Sequence, residues 1–394
     1  MTTIGAMDMF HNFHPRLLLV AGLATIGSSP SLAQLVYEGE SGELTFGGDV
    51  ELDINAQNTH AGEGPIFFED DVDHGDEFNQ TGRILLDISG ERRSPANHYA
   101  GFKVQPLIQT DGNFAVDDAW LAIGNRHGFE FKVGRFEAFD LFPLGQDVFV
   151  GFSGDTSDGL YRDGQGYIYQ AKEGRGRGGD SGQVMVSQRS GNLYGEISTL
   201  FGDRSDLFDS DTYHGYRIDP HQRSKDSFIV RPAIAWAPGP WTLAAGLETN
   251  LVDAAIVDER GADIGDRTGY GVRISYAAGD WQWNANLAYL DAFEETNQTL
   301  GVNALWRQFG VGYIHARNDI DDVNPVEGDD VVFSVPGRYD IDTLYTSYQF
   351  ADVLSIDDLR LYLGAYYSRI DHQQIDSLDD ADRYGARVRF KYLF

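Results

Sequence analysis

Cysteine is absent from the 394 residues, so a disulfide framework, a thiolate metal site and a cysteine nucleophile are all excluded. Positive charge is scarce: 30 Lys and Arg stand against 61 Asp and Glu, a formal net charge of -31. No nucleic-acid partner fits that balance, because a phosphate backbone is held by clustered cations. After residue 33 no apolar run approaches the roughly 18–20 residues that a membrane-spanning helix needs. What is plentiful is 46 Gly, 20 Tyr, 24 Phe and six Trp, within an apolar share of 42%. That share is ordinary for a folded domain and rules out an acidic disordered polymer. Glycine and aromatics in excess over methionine point to β structure.

The first 33 residues read as a secretory signal peptide. Arg16 precedes an apolar core from Leu17 to Ile26, and Ser31-Leu32-Ala33 supplies small residues before Gln34. The core is too short to anchor the chain in a bilayer. Met9 is an alternative start, since the flank ahead of the core is long and weakly basic. Residues 34–394 are then one domain, delivered beyond the inner membrane.

From Gly42 onward the dominant period is two. Leu44, Phe46, Gly48, Val50, Leu52 and Ile54 share one face, and Glu43, Thr45, Asp49, Glu51, Asp53 and Asn55 share the other. Strand side chains alternate between faces, so this is a strand with one oily and one charged side. The last segment behaves likewise, with Tyr384, Ala386, Val388, Phe390, Tyr392 and Phe394 opposed to Gly385, Arg387, Arg389, Lys391 and Leu393. Similar segments lie at 81–92, 98–108, 114–124, 128–136, 182–190, 193–202, 226–237, 241–252, 267–277, 281–291, 298–306, 308–317, 342–350 and 359–370. Asp117-Asp118 breaks the alternation, as a bulge would. Short turns at 189–192, 237–240 and 277–280 alternate with long acidic stretches at 56–80, 137–181, 203–225, 253–266, 318–341 and 371–381. That parity gives sixteen antiparallel strands whose two ends meet different surroundings.

A soluble sandwich would also alternate, with its oily faces packed inside. The export leader, the length without a domain break, the aromatic strand ends and the terminal Phe394 favour a transmembrane barrel. Closing the sheet pairs every backbone amide that lipid cannot satisfy.

Leader, sixteen amphipathic strands, a long third connection and the terminal pattern Tyr384…Phe390-Lys-Tyr-Leu-Phe394 together resemble the porins of Gram-negative outer membranes. The likeness covers essentially all of 34–394. The stretch Val133 to Asp147 is similar to the third-loop entrance of sugar-type porins, although the Pro-Glu-Phe-Gly-Gly run of general diffusion porins is missing. The resemblance implies a passive channel for small hydrophilic solutes, sugars or oligosaccharides foremost, with a general size-limited diffusion porin as the alternative. It implies no cofactor and no metal. As partners it implies outer-membrane lipid and lipopolysaccharide, the barrel assembly machinery, which reads the terminal pattern, and two further copies in a homotrimer.

The same resemblance places the third loop, 137–181, in the lumen as a constriction, with Asp140, Asp147, Asp155 and Asp158 as its acids. Strand parity nominates the facing wall: Arg83, Lys103, Lys132, Arg360, Arg387, Arg389 and Lys391 form one basic arc, because first and last strands adjoin. An Arg or Lys turned to lipid would cost about 2–4 kcal/mol at the midplane, so these side chains belong inside. Tyr99, Phe136, Phe139, Tyr362 and Tyr366 are the candidate rings for stacking on sugar faces, with Trp120 less clearly placed. Acidic runs such as Glu69 to Glu77 lack the glutamate that completes a calcium loop and read as solvated charge. A barrel enzyme would need a nucleophile, a histidine and an orienting group together. The ten histidines are scattered and no such set appears.

Overall fold

The computed structural model describes residues 34–60, 75–146, 169–171, 182–202, 212–219, 225–324, 335–373 and 381–394. The leader and most of 137–181 lie outside the described residues. Sixteen strands make the staves of a closed antiparallel barrel. They are β1 (Gly42–His60), β2 (Gly75–Arg93), β3 (His98–Gln109), β4 (Phe114–Asn125), β5 (Phe129–Arg135), β6 (Gly182–Ser190), β7 (Leu193–Gly202) and β8 (Ser227–Trp236). The second half comprises β9 (Trp241–Asn250), β10 (Arg267–Ala278), β11 (Trp281–Ala292), β12 (Glu295–Trp306), β13 (Phe309–Ile320), β14 (Gly337–Phe350), β15 (Leu359–Gln373) and β16 (Ala381–Leu393). Each stave pairs with the next, and β16 returns to β1 from Asp382↔His60 to Leu393↔Asp49. No edge of the ring is left open, which is the condition for a sheet to sit in hydrocarbon.

Burial is inverted relative to a soluble protein. Val272, Leu287 and Leu300 are 45%, 48% and 43% exposed, whereas Asp53, Arg267 and Arg273 are 4%, 4% and 3% exposed. Over most of the ring the oily face of a stave therefore looks outward and the polar face looks into the lumen. Aromatic rings collect at the ends of the oily band. Trp281 stacks on Trp306 at 6.0 Å near the short turns, and Tyr270 stacks on Tyr289 at 5.0 Å towards the other end. Rings with one apolar and one wet edge sit well at such interfaces.

The short turns fall where the dipeptides predict them. Gly191 and Gly279 adopt φ of 56° and 58°, the left-handed backbone that two-residue hairpins require. The strand at Asp117-Asp118 is bulged, and the β3–β4 register shifts between Val104 and Pro106. A short strand, Leu35–Gly39, pairs with Gly42–Phe46 on the edge of β1. It follows the C-terminus along that edge: Phe394 and Gly48 exchange both backbone hydrogen bonds, at 2.9 and 3.0 Å.

One expectation is corrected. The staves run further towards the long connections than the hydrophobic period indicates: β1 reaches His60, β2 starts at Gly75 and β14 starts at Gly337. The added residues of β1 and β2 are mostly polar on both faces, so alternation fades there although the ladder continues. Polar pairs across the ladder take over, such as Asn58 Nδ2 to Asp76 Oδ1 at 2.9 Å and Arg338 Nε to Asp319 Oδ1 at 3.0 Å.

The inverted burial gives a direct test. Val272→Arg, in the middle of the oily band of β10, should destabilise the barrel in bilayers by about 2–4 kcal/mol. Denaturant titration in lipid vesicles measures this, and an unchanged midpoint would show that this face does not contact acyl chains.

Candidate functional site: the lumenal wall and the third connection

The seam of the barrel carries a ladder of opposite charges. Asp49, Glu51, Asp53 and Asn55 alternate along β1 and all point inward, where they are buried. Register sets Asp53 opposite Arg389, Glu51 opposite Lys391 and Asn55 opposite Arg387 on β16, and Glu51 opposite Arg83 on β2. Directly opposed charges on one face attract. Arg389 grips Asp53 with two bonds of 2.7 Å, the bidentate fork that guanidinium and carboxylate geometry favours. Arg387 Nε donates to Asn55 Oδ1 at 3.0 Å, Lys391 Nζ to Glu51 Oε1, and Arg83 Nε lies 3.2 Å from Glu51 Oε2.

The remaining basic residues of the predicted arc are also inside. Lys103 Nζ is 3.2 Å from Asp87 and 3.6 Å from Asp118, and Lys132 Nζ is 3.1 Å from Glu130. Arg360 sits at the foot of β15, 3.8 Å from Asp358. So the structure brings Arg83, Arg387, Arg389 and Lys391 together on β2 and β16, with Lys103 and Lys132 further round the wall. What the sequence reading lacked is their partners. Asp49, Glu51 and Asp53 sit on the polar face of the first strand, yet periodicity carries no register between first and last strands. The arc is therefore an alternation of charges rather than a bare positive wall.

Across the lumen, the beginning of the third connection lies against the wall. Phe139 N donates to Glu196 Oε1 at 2.7 Å, and Arg273 Nη1 donates to the Asp140 carbonyl at 2.6 Å. Asn303 Nδ2 reaches the Pro143 carbonyl at 2.7 Å, and the Tyr345 hydroxyl reaches that of Leu144 at 3.0 Å. Glycines on the inner face leave room for it. A Cβ at Gly246 would lie 2.6 Å from Leu141, at Gly301 2.6 Å from Phe142, and at Gly271 2.7 Å from Ala171. Leu141 and Phe142 are consequently buried. Asp140 turns its carboxylate back to the amide of Phe142 at 2.7 Å and is the charge partner of Arg273. Asp147, Asp155 and Asp158 lie outside the described residues.

All five candidate rings are inside the barrel, in different circumstances. Phe136, Tyr362 and Tyr366 are 1%, 8% and 4% exposed, so their faces are covered by wall neighbours. Tyr366 lies over Gly385, and Tyr99 donates to Glu130 at 2.7 Å. Phe139 lies 5.6 Å from Tyr194, with the Arg273 guanidinium 4.9 Å over its ring. Trp120 also faces inward, under the Lys132 ammonium at 4.6 Å.

A second charged group stands at the loop end of β8–β12 and was not singled out from sequence. Glu248 contacts both Arg231 and Arg267, and His214 Nε2 lies 2.8 Å from Glu295 Oε2. Its members sit at strand ends and in the 203–225 stretch, where no period marks the inward side. Burial, then the charge of Glu295, pushes the Tyr213 phenol well above its ordinary value. Nearby, Asp258 organises the 251–266 connection. Its carboxylate accepts from Arg260 N at 2.9 Å, Ala262 N at 2.8 Å and Arg260 Nε at 2.8 Å. Burial alone would raise its pKa, but the Arg260 guanidinium and the two amides outweigh it and hold the carboxyl below the usual range.

A closed ring of amphipathic staves, oily outside and ionic within, is a transmembrane channel of the outer-membrane type. The comparisons agree. A family model described as porin-like glycoporin RafY matches residues 46–394, and the chain belongs to that family. No curated protein matches the sequence. Among solved structures, the outer membrane channel DcaP of Acinetobacter baumannii is similar over 91% of this chain and 99% of its own, at 14% identity and TM-score 0.59. The anion-selective porin from Comamonas acidovorans aligns over 90% of this chain and 100% of its own, at 14% identity and TM-score 0.54. OmpT, an outer-membrane protein of Vibrio cholerae, aligns over 91% and 100%, at 14% identity and TM-score 0.54. Such identities speak to the fold. The protein is a channel of the outer membrane.

Two outcomes follow from this geometry. Asp53→Asn should move the reversal potential in a KCl gradient towards anions and Arg389→Gln towards cations. Each should change the permeability ratio about two- to threefold, the scale of a ~0.5 kcal/mol screened charge. Equal potentials for both variants would remove the seam from the conducting path. For Asp258, a depressed carboxyl contributes stability that is complete above its ordinary pKa and fades as pH falls through the lower folded value. Asp258→Ala at neutral pH should therefore accelerate amide exchange at Arg260 and Ala262 about tenfold, as loss of a ~1.5 kcal/mol charged hydrogen bond implies.

Proposed function

We propose that this channel passes small hydrophilic solutes passively, with sugars or oligosaccharides as its preferred cargo. The observation that carries the reading is the alternation of charge along the lumenal wall. A wall in which Asp53 and Glu51 interleave with Arg389, Lys391 and Arg83 has little net field to sort ions. It presents donors and acceptors side by side, which is what a polyhydroxylated neutral solute can use. The family description points the same way.

In this reading the third connection narrows the path and Asp147, Asp155 and Asp158 face the basic arc across it, whereas Asp140, turned to the Phe142 amide and Arg273, stays on the far wall. Support comes from the way Leu141 and Phe142 sit in glycine-lined seats on the far wall. Residues 1–33 act as an export leader, the terminal Phe394 segment serves recognition by the assembly machinery, and three copies associate in the bilayer. No step requires a cofactor, because selectivity arises from radius, wall charge and weak binding.

A general size-limited diffusion pore is the second reading, and one observation favours it. Phe136, Tyr362 and Tyr366 are covered by their neighbours, so they present little ring face to a passing sugar. Single-channel recording in planar bilayers separates the two. Sugar passage predicts ohmic conductance that maltose- or raffinose-sized sugars reduce in a saturable, concentration-dependent way. Conductance that falls only with solution viscosity supports the general pore and rejects the sugar preference.

A further inference from the structure

The chain that joins β7 to β8 does not stay above its own staves. Residues 212–219 of it touch the β9–β10 connection, the β11–β12 turn and the chain just beyond β13. Ile218 and Asp258 form an antiparallel bridge, Asp219 N donates to the Val257 carbonyl at 3.0 Å, and Glu259 N donates to that of Arg217 at 3.1 Å. The Tyr216 ring stands edge-on to Phe293 at 5.4 Å, and its hydroxyl donates to Asp322. Asn324 N donates to the His214 carbonyl at 2.8 Å. From β8 to β13 is five strand spacings, about 24 Å along the ring. A connection between neighbouring staves has no need of that reach.

The segment takes the lumenal side of the ring. Glu295 has the inward parity of Asn297, Thr299 and Asn303, and its carboxylate meets His214 Nε2 at 2.8 Å, both side chains being buried. Tyr213, Ile218, Ile256 and Ile264 pack into one apolar cluster with Phe293 against it. Beneath lies the third connection. Down the inner face of β10, Arg267 contacts Glu248, Tyr169 and Ala171 fill the space that a Cβ would take at Gly269 and Gly271, and Arg273 holds the Asp140 carbonyl. Arg267 is also a charge partner of Glu295. The two connections therefore share one strip of inner wall, with 212–219 nearer the mouth.

We infer that residues 212–219 form a second constriction element at the long-connection end of the channel, and that the His214–Glu295 and Tyr216–Asp322 contacts position it across the mouth. Solutes entering from that side are screened for size there, before they reach the third connection. His214 and Tyr216 are positioning residues, since each holds the segment to the wall rather than touching a solute. The packing sets the segment in place: Tyr213, His214, Tyr216 and Ile218 are all buried, and local opening grows rarer as such contacts accumulate. The element acts at the mouth, and its role is the same for a sugar and for any other small hydrophilic solute.

The test sizes the pore from each side in planar bilayers, with neutral polyethylene glycols of graded mass in one compartment and single-channel conductance as readout. His214→Ala/Tyr216→Phe removes both anchors, and heat-modifiable gel mobility certifies the fold. Conductance should rise about 1.5-fold, because radius sets passage through such a pore. Larger glycols should enter from the long-connection side, while the cut-off from the short-turn side stays at its wild-type value. His214→Gln alone, which keeps a donor for Glu295, should behave as wild type. Wild-type conductance and cut-offs in the folded double variant, or a cut-off raised equally from both sides, would overturn the proposal. Should that variant not fold, the absence of native cysteine offers Ile218→Cys/Asp258→Cys, two positions opposed in an antiparallel bridge at disulfide spacing. Reducing that disulfide should raise the conductance of the same channels, and equal conductance before and after reduction overturns the proposal.

Discussion

Closure of the ring at β16 and β1 is the constraint from which the rest follows. Lipid offers no partner to a peptide group, and an unpaired amide there costs several times what a typical paired one contributes. The register that satisfies the backbone from His60 to Asp49 also decides which side chains face each other across the seam. Asp53 meets Arg389 and Glu51 meets Lys391 because the chain ends must pair in that phase. A slip of one residue would turn the whole β16 set, Arg387, Arg389 and Lys391, out to the hydrocarbon. At about 2–4 kcal/mol for each such charge at midplane, the ionic wall and the closed ladder enforce one another.

The lumen is then shaped by what fills it. Residues 136–146 lie flat on the far wall because β9, β10 and β12 offer glycine where other staves carry side chains, at Gly246, Gly271 and Gly301. Close approach matters more there than strand propensity, which glycine lowers. Polar anchors then fix the chain along its length, from Glu196 on β7 through Arg273 and Asn303 to Tyr345 on β14. An apolar segment thus lies in a polar tunnel without exposing Leu141 or Phe142 to water.

Much of this was legible in the sequence. Period-two patterning identified all sixteen staves, since one face of each meets lipid along its length. The inward parity of Arg83, Arg387, Arg389 and Lys391 followed from the same rule. Two things were not legible. Strand ends such as Ala56 to His60 are mostly polar on both faces and lose the alternation that announces a strand. Partner identity was also hidden, because Asp53 and Arg389 are separated by 336 residues and only the closing register joins them. The inward glycines were visible but ambiguous: in a strand pattern, glycine signals a bulge as readily as a seat for another segment.

The charge of the chain now divides into two populations. Along the lumen, acids are matched by bases, as Asp53, Glu51 and Glu248 illustrate. Part of the surplus behind the net -31 lies in three connections that hold eleven acids and no Lys or Arg. Connection 61–74 holds Glu63, Glu69, Asp70, Asp71 and Asp73 with no Lys or Arg; 325–334 holds Glu327, Asp329 and Asp330; and 374–380 holds Asp376, Asp379 and Asp380. All three join staves at the same end of the barrel. These three connections thus gather acids with no Lys or Arg among them, whereas Asp53, Glu51 and Glu248 on the wall each face a basic partner.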